Sequence, residues 1–215
     1  MLHPLNVRLD RRHVRRALEP DALRELLRVT ALGPVRQGVS GPERALVYRV
    51  AVETGLRASE IRSLRTASLQ GGDEPTLTVQ AGASKRRRED VVPIRADLAN
   101  ALAAHVRGRK PWEPMFALAR SWRPCEMLGQ DLAAAGIAQR DEHDHVADFH
   151  SLRVSYISSL ARANVPPKVV QALARHSTPL LTYDRYVKLG KDDERRALDA
   201  LPCLAPNALS ASAQG

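Results

Sequence analysis

Only one place in the 215-residue chain reads as β-structure. Thr76-Leu77-Thr78-Val79 and Val91-Val92-Pro93-Ile94 are short β-branched runs, and the stretch between them is polar, Gly-containing and basic. That pattern predicts an antiparallel hairpin with a long tip. The remaining periodicity is helical. Pro20 and Asp21 open a helix that carries Leu23, Leu26 and Leu27 at helical spacing. The Gly- and Pro-rich stretch 33–42 reads as a loop. A helix over about 43–54 puts Leu46, Val47, Val50 and Ala51 on one face and ends at Gly55, a C-cap. A short helix starts near Ala58, with Ile61 and Leu64 facing inward. Beyond the hairpin, Leu98, Leu102 and Val106 predict a helix that breaks at Gly108 and Pro111, and 124–135 predicts another ending at Gly136. A polar loop over 137–149 leads to helices over about 150–163, 167–175 and 180–188, with Pro166, Pro167 and Pro179 as punctuation, and to a last one over 192–201. The sum is a mainly α fold with a small antiparallel β-sheet, an α+β arrangement without internal repeats.

The sequence divides into a basic N-terminal arm or linker remnant at 1–18, a domain at 19–201 and an uncharged tail at 202–215. A composition of 44% hydrophobic and 27% charged residues excludes a disordered chain. No apolar run approaches the ~20 residues that span a bilayer, so no membrane partner is expected. The N-terminus lacks the apolar core of a secretory signal. Cys125 and Cys203 lie far apart and form neither a disulfide framework nor a metal pair. They read as reduced thiols of a cytoplasmic protein.

Charge says more about function. Lysine and arginine number 33 against 24 acidic residues, a net charge of +9. A basic surface favours polyanions, with binding that weakens in salt. The excess concentrates in the arm, where Arg8, Arg11, Arg12, Arg15 and Arg16 face only Asp10, and at Lys85-Arg86-Arg87-Arg88. Aromatics are 4%, too few for a single-strand binder built on stacking. Double-stranded DNA, held mainly through its phosphates, is the expected partner, with Arg11, Arg12, Arg86, Arg87 and Arg88 as expected phosphate contacts.

Several side chains have the chemistry for work on a phosphodiester. His150 and Arg153 are three apart at a helix start and share a face, which suits an anion. The bland alternative is a surface arginine and a satisfied histidine. Arg57 follows Gly55 and opens the next helix, and Glu60, three residues on, is placed to hold its guanidinium. The bland alternative there is a surface ion pair worth tenths of a kcal/mol. Lys85 belongs to the hairpin tip, where a solvated charge run is the competing reading. His176, Tyr183 and Tyr186 follow the helix at 167–175. A tyrosine is a weak nucleophile until cations stabilise its phenolate.

Taken in order, the arginine of TGLRASEIRSL, a lysine before a VVPI strand, His-x-x-Arg in FHSLR, the histidine of ARHS and the tyrosine of LLTYDRY resemble the catalytic domain of tyrosine recombinases, the phage-integrase family. The resemblance covers about residues 16–190. It implies that Arg57 and Arg153 clamp the phosphate, that Lys85 is the hairpin lysine, that His150 and His176 are the two histidines, and that Tyr186 is the nucleophile. Tyr183, one helical turn earlier, is the rival for that role. The resemblance implies cleavage and rejoining of DNA strands through a 3′-phosphotyrosine link, without metal, ATP or other cofactor. It also implies a homo-tetramer on DNA, with a monomer expected in free solution. Arg175 stands where the family commonly has glycine, and Val154-Ser155 where it often has His-Thr. The family's N-terminal helical DNA-binding domain is not represented, which implies an isolated catalytic domain or part of a longer recombinase.

A type IB topoisomerase shares the covalent chemistry, but the histidine of FHSLR favours the recombinase. A non-catalytic DNA-binding module on the same scaffold is the alternative from a different class. His143-Asp144-His145 invites a metal reading but lacks a structural-zinc pattern and is expected to be solvated. Val165, Val169, Val170 and Leu173 are expected to be core.

Overall fold

The computed structural model describes residues 14–82 and 88–175. The first helix, α1 (Pro20–Leu32), carries Pro20 in its first turn, where the missing N–H would have no partner, and buries Leu26 and Thr30. The second, α2 (Gly41–Thr54), is capped by Ser40, whose hydroxyl accepts the Glu43 N–H at 3.4 Å. It starts earlier than its apolar periodicity predicts, because Ser-Gly-Pro is itself a start signal. Gly41 is required by close approach. A β-carbon there would stand 2.6 Å from the carbonyl oxygens of Gly33 and Thr30, so the ends of α1 and α2 meet backbone to backbone.

Helix α2 is the axis of the domain. It packs on α1, on the short α3 (Ala58–Ser63), on α4 (Ala96–His105) and on α6 (Phe149–Arg162). Val47, Val50 and Ala51 on its inner face join Leu26, Ile61, Leu98, Leu102 and Leu152 in one core. The fifth helix, α5 (Pro124–Ala134), closes it against α1 and α6. Asp131 of α5 is buried and accepts hydrogen bonds from Arg44 Nε (2.9 Å), Arg36 Nε (2.9 Å) and the Tyr48 hydroxyl (2.8 Å).

The sheet runs β1 (Leu69–Gln70), β2 (Thr76–Val79), β3 (Asp90–Pro93), all antiparallel. The expected hairpin is present, with Thr76 opposite Pro93 and Val79 opposite Asp90. Leu77, Val79 and Val92 point into the core. Strand β1 was not expected, since two residues carry no period. The last described helix is α7 (Pro167–Leu173). Val170 is fully buried and packs with Ile157 and Ala174, and Val165 lies against them. Val169 corrects the four-residue core stripe: it is exposed. On a helix of seven residues with one covered face, the neighbour of Val170 is rotated about 100° away from it. No helix among the described residues is long and apolar enough to cross a membrane. The helices expected over 180–188 and 192–201, the tail and most of the basic arm lie outside the described residues.

Candidate active site

Arg57 sits at the N-cap of α3 with extended backbone. Glu60, in the first turn, reaches back to it twice: the Arg57 N–H donates to Glu60 Oε2 at 2.8 Å, and Arg57 Nη1 donates to Oε1 at 2.9 Å. This is not the surface ion pair of the bland reading, because Glu60 is 1% exposed. Burial acts to raise its pKa. The Arg57 N–H and the guanidinium of Arg175 outweigh burial and hold the carboxylate below its usual range.

Arg153 approaches from α6. It is buried, and its guanidinium donates to the carbonyl oxygens of Gly55 and Ala174. A guanidinium has five N–H donors, so two anchoring bonds leave donors for a ligand. Burial first, and the Arg57 and Arg175 charges next, lower its pKa to about 10, still well above neutrality. Gly55 makes this anchoring possible. Its φ of +64° is the left-handed region, and a β-carbon would stand 2.6 Å from Tyr156 Cδ1. Only glycine both ends α2 there and presents its carbonyl to Arg153.

His150 lies one turn before Arg153, exposed at its residue surface but closely surrounded by protein charge. The desolvation of its ring, followed by the charges of Arg15 and Arg153, pushes its pKa down to about 4. Arg15 belongs to the arm. The arm pairs with Val146, and Arg15 Nε donates to Asp148 Oδ2 at 2.7 Å. Asp148 is also the N-cap of α6, taking the Ser151 N–H at 3.0 Å. The helix start therefore already holds a carboxylate, and the anion-binding groups here are side chains rather than free N–H groups.

A residue that the motif reading did not place in the site completes it. Arg175, after α7, is 7% exposed, and its Nη2 donates to Glu60 Oε2 at 2.8 Å. Its Nη1 is 3.8 Å from Asp90 Oδ2 at the start of β3, where Arg88 Nε lies 3.5 Å from Asp90 Oδ1. The structure thus gathers Arg57, Glu60, His150, Arg153 and Arg175, with Arg88 at the hairpin base. The only hint of Arg175 in the sequence was its place before His176 where glycine is common. Lys85, Arg86, Arg87, His176, Tyr186, Arg11 and Arg12 lie outside the described residues. The 143–145 histidines belong to a tight turn in which Asp141 Oδ1 accepts the N–H groups of His143 and His145. Three guanidiniums around Glu60 exceed its single charge, and such an arrangement is suited to receive a phosphate.

The sequence model of the phage integrase family matches residues 16–192. Comparison with curated protein sequences finds no match. Among solved structures, the catalytic domain of bacteriophage HP1 integrase is similar at TM-score 0.62 and 21% identity, over 93% of this chain and 99% of that one. The Tn1549 transposon integrase, in complex with transposon right end DNA, is similar at 0.67 and 18%, over 88% of this chain and 67% of that one. The XerH site-specific recombinase, bound to palindromic difH substrate, is similar at 0.63 and 16%, over 88% of this chain and 54% of that one. At these identities the structural likeness speaks for the fold.

Proposed function

The chain belongs to the phage integrase family, and from that premise we propose that it cleaves and rejoins DNA at a specific site through a covalent phosphotyrosine. Tyr186 attacks the scissile phosphorus and the bond to the 5′ oxygen breaks, leaving the DNA 3′ end on the tyrosine. His150 and His176 add hydrogen bonds that steady the phosphate, and one of the two takes the single phenol proton. Lys85 protonates the departing 5′ oxygen. The charge that grows on the non-bridging oxygens falls to Arg57 and Arg153, and each such donor is worth ~10²–10³ in rate. The covalent link keeps the energy of the cut bond, so a 5′-hydroxyl from another strand reverses the step without ATP or metal.

The observation that carries this reading is that Arg57, held by the buried Glu60, and Arg153, anchored on the Gly55 and Ala174 carbonyls, come from opposite halves of the chain and stand close enough for their charges to interact. It supports the recombinase over a mere binding module, since phosphate affinity alone does not call for a buried, carbonyl-anchored arginine. At neutral pH His150 is uncharged in the free protein, given its pKa of about 4. An arriving phosphate faces it with negative charge and raises its affinity for the phenol proton. Strand exchange needs more than one such tyrosine, which fits a tetramer on DNA built from chains that are monomeric without it.

The test is a pool of randomised duplexes, nicked so that the released 5′ end is lost. Incubation without metal, followed by a denaturing gel, should show DNA covalently joined to protein. Selection of that fraction should converge on one sequence. Duplex binding without any covalent species would reduce the chain to a DNA-binding module.

A further inference from the structure

Arg175 has no task in the cleavage scheme, yet it occupies a costly position. Its backbone has φ +53°, in the left-handed region where a residue with a β-carbon is strained. Its guanidinium is 7% exposed, and among the described residues its buried Nε and Nη1 have no hydrogen-bond acceptor. Among the described residues its guanidinium makes one close bond, to Glu60 Oε2, the oxygen that also takes the Arg57 N–H. Glu60 is therefore shared by two arginines. Without Arg175 more of its charge would fall on Arg57 and neutralise it. With Arg175 that charge is divided, and Arg57 keeps more positive potential for an incoming anion. The same bond holds the carboxylate from the far side and so fixes the face that orients Arg57. The weaker ion pair to Asp90, at 3.8 Å, carries the connection on to the base of the basic hairpin.

We propose that Arg175 is a positioning residue for the phosphate chemistry: by sharing Glu60 with Arg57, it keeps Arg57 oriented and only partly neutralised. This rests on the recombinase reading of the site. Glycine tests it cleanly, because Arg175→Gly removes the guanidinium and relieves the backbone at once. The variant should stay folded, with a cooperative melting transition.

Two readouts on the full chain decide the matter. Inorganic phosphate, followed by ³¹P line broadening, probes the clamp without any cleavage. Single-turnover formation of the covalent adduct on the selected nicked duplex probes the chemistry. In Arg175→Gly phosphate should bind at least about 5-fold more weakly, and the adduct should form about 10- to 100-fold more slowly at saturating duplex, the range for losing a group that orients a working side chain. Duplex affinity should change by less than about 3-fold, since most phosphate contacts lie elsewhere. Arg175→Lys should recover part of both losses by restoring the charge. A purely structural role would lower the melting temperature and leave the rate of the folded protein unchanged. Phosphate affinity and adduct rate both equal to those of the unaltered chain would overturn the proposal. If the unaltered chain forms no adduct, the recombinase reading fails, and phosphate affinity still decides the case: a loss in Arg175→Gly upholds the sharing of Glu60, and no loss overturns it. Should Arg175→Gly lack a cooperative transition, Arg175→Met, which keeps an unbranched stem without the charge, is compared on the same two readouts, where unchanged values overturn the proposal.

Discussion

Asp131 and Glu60 are each 1% exposed, and each accepts hydrogen bonds from two arginines. Around Asp131 nothing is left over. Arg44 grips it with Nε and Nη2, donates Nη1 to the carbonyls of Pro34 and Val39, and is fully buried. Tyr48 adds its hydroxyl, and burial with the neighbouring carboxylate raises that phenol's pKa so far that it stays protonated. Around Glu60 the balance is open. Arg57 is partly exposed, Arg175 keeps buried donors without acceptors among the described residues, and Arg153 stands close enough for their charges to repel. A closed ionic cluster can only hold a fold together. An open one stores positive charge for something that arrives later.

Breaking the closed cluster should give the largest effect. Asp131→Asn strands Arg44 in the core and should cost about 3–5 kcal/mol, read from urea denaturation. The open cluster should answer the opposite way. Arg57→Ala should lower the adduct rate ~10²–10³-fold, while its partial exposure limits the stability loss to about 1 kcal/mol. If Arg57→Ala destabilised the chain as much as Asp131→Asn, the contrast between the clusters would be lost. Gly55→Ala should do both kinds of damage. Its methyl meets Tyr156 and the left-handed backbone is strained, so about 1–3 kcal/mol of stability should go, and the adduct rate should drop because Arg153 loses its anchor.

The smallest effect is on pH, because His150 is exposed and solvent screens the charges around it. His150 has a folded pKa of about 4, below the ~6.5 of an unfolded chain. The unfolded chain therefore takes up the proton first as pH falls, and stability declines from about pH 6.5 to about pH 4 and then levels. His150→Gln should flatten that part of a urea-midpoint profile. An unchanged profile would show that neither burial nor the charges of Arg15 and Arg153 act on the ring.

The contrast also explains what the sequence disclosed. Arg57, Glu60, His150 and Arg153 were legible because each pair is three residues apart, a spacing that helix geometry turns into proximity. Gly55 was legible because a helix end needs its conformation. Arg175 was not, since its partner Glu60 lies on a distant element and a left-handed backbone is not foretold by arginine. The Asp131 cluster was hidden for the same reason: its partners sit far along the chain on α2 and the loop before it. Strand β1 has too few residues for a period, and Val169 looked like core until α7 proved to have one covered face. Within the described residues the helical periodicity and the hairpin survived because they rest on local patterns.

The most direct measurement is a crystal structure of the covalently trapped DNA complex. It should place the phosphate on Tyr186, with its non-bridging oxygens about 2.7–3.1 Å from guanidinium nitrogens of both Arg57 and Arg153, and with Glu60 still bonded to Arg57 and Arg175. A phosphate joined to Tyr183, or one out of hydrogen-bond reach of Arg57 and Arg153, would contradict the account.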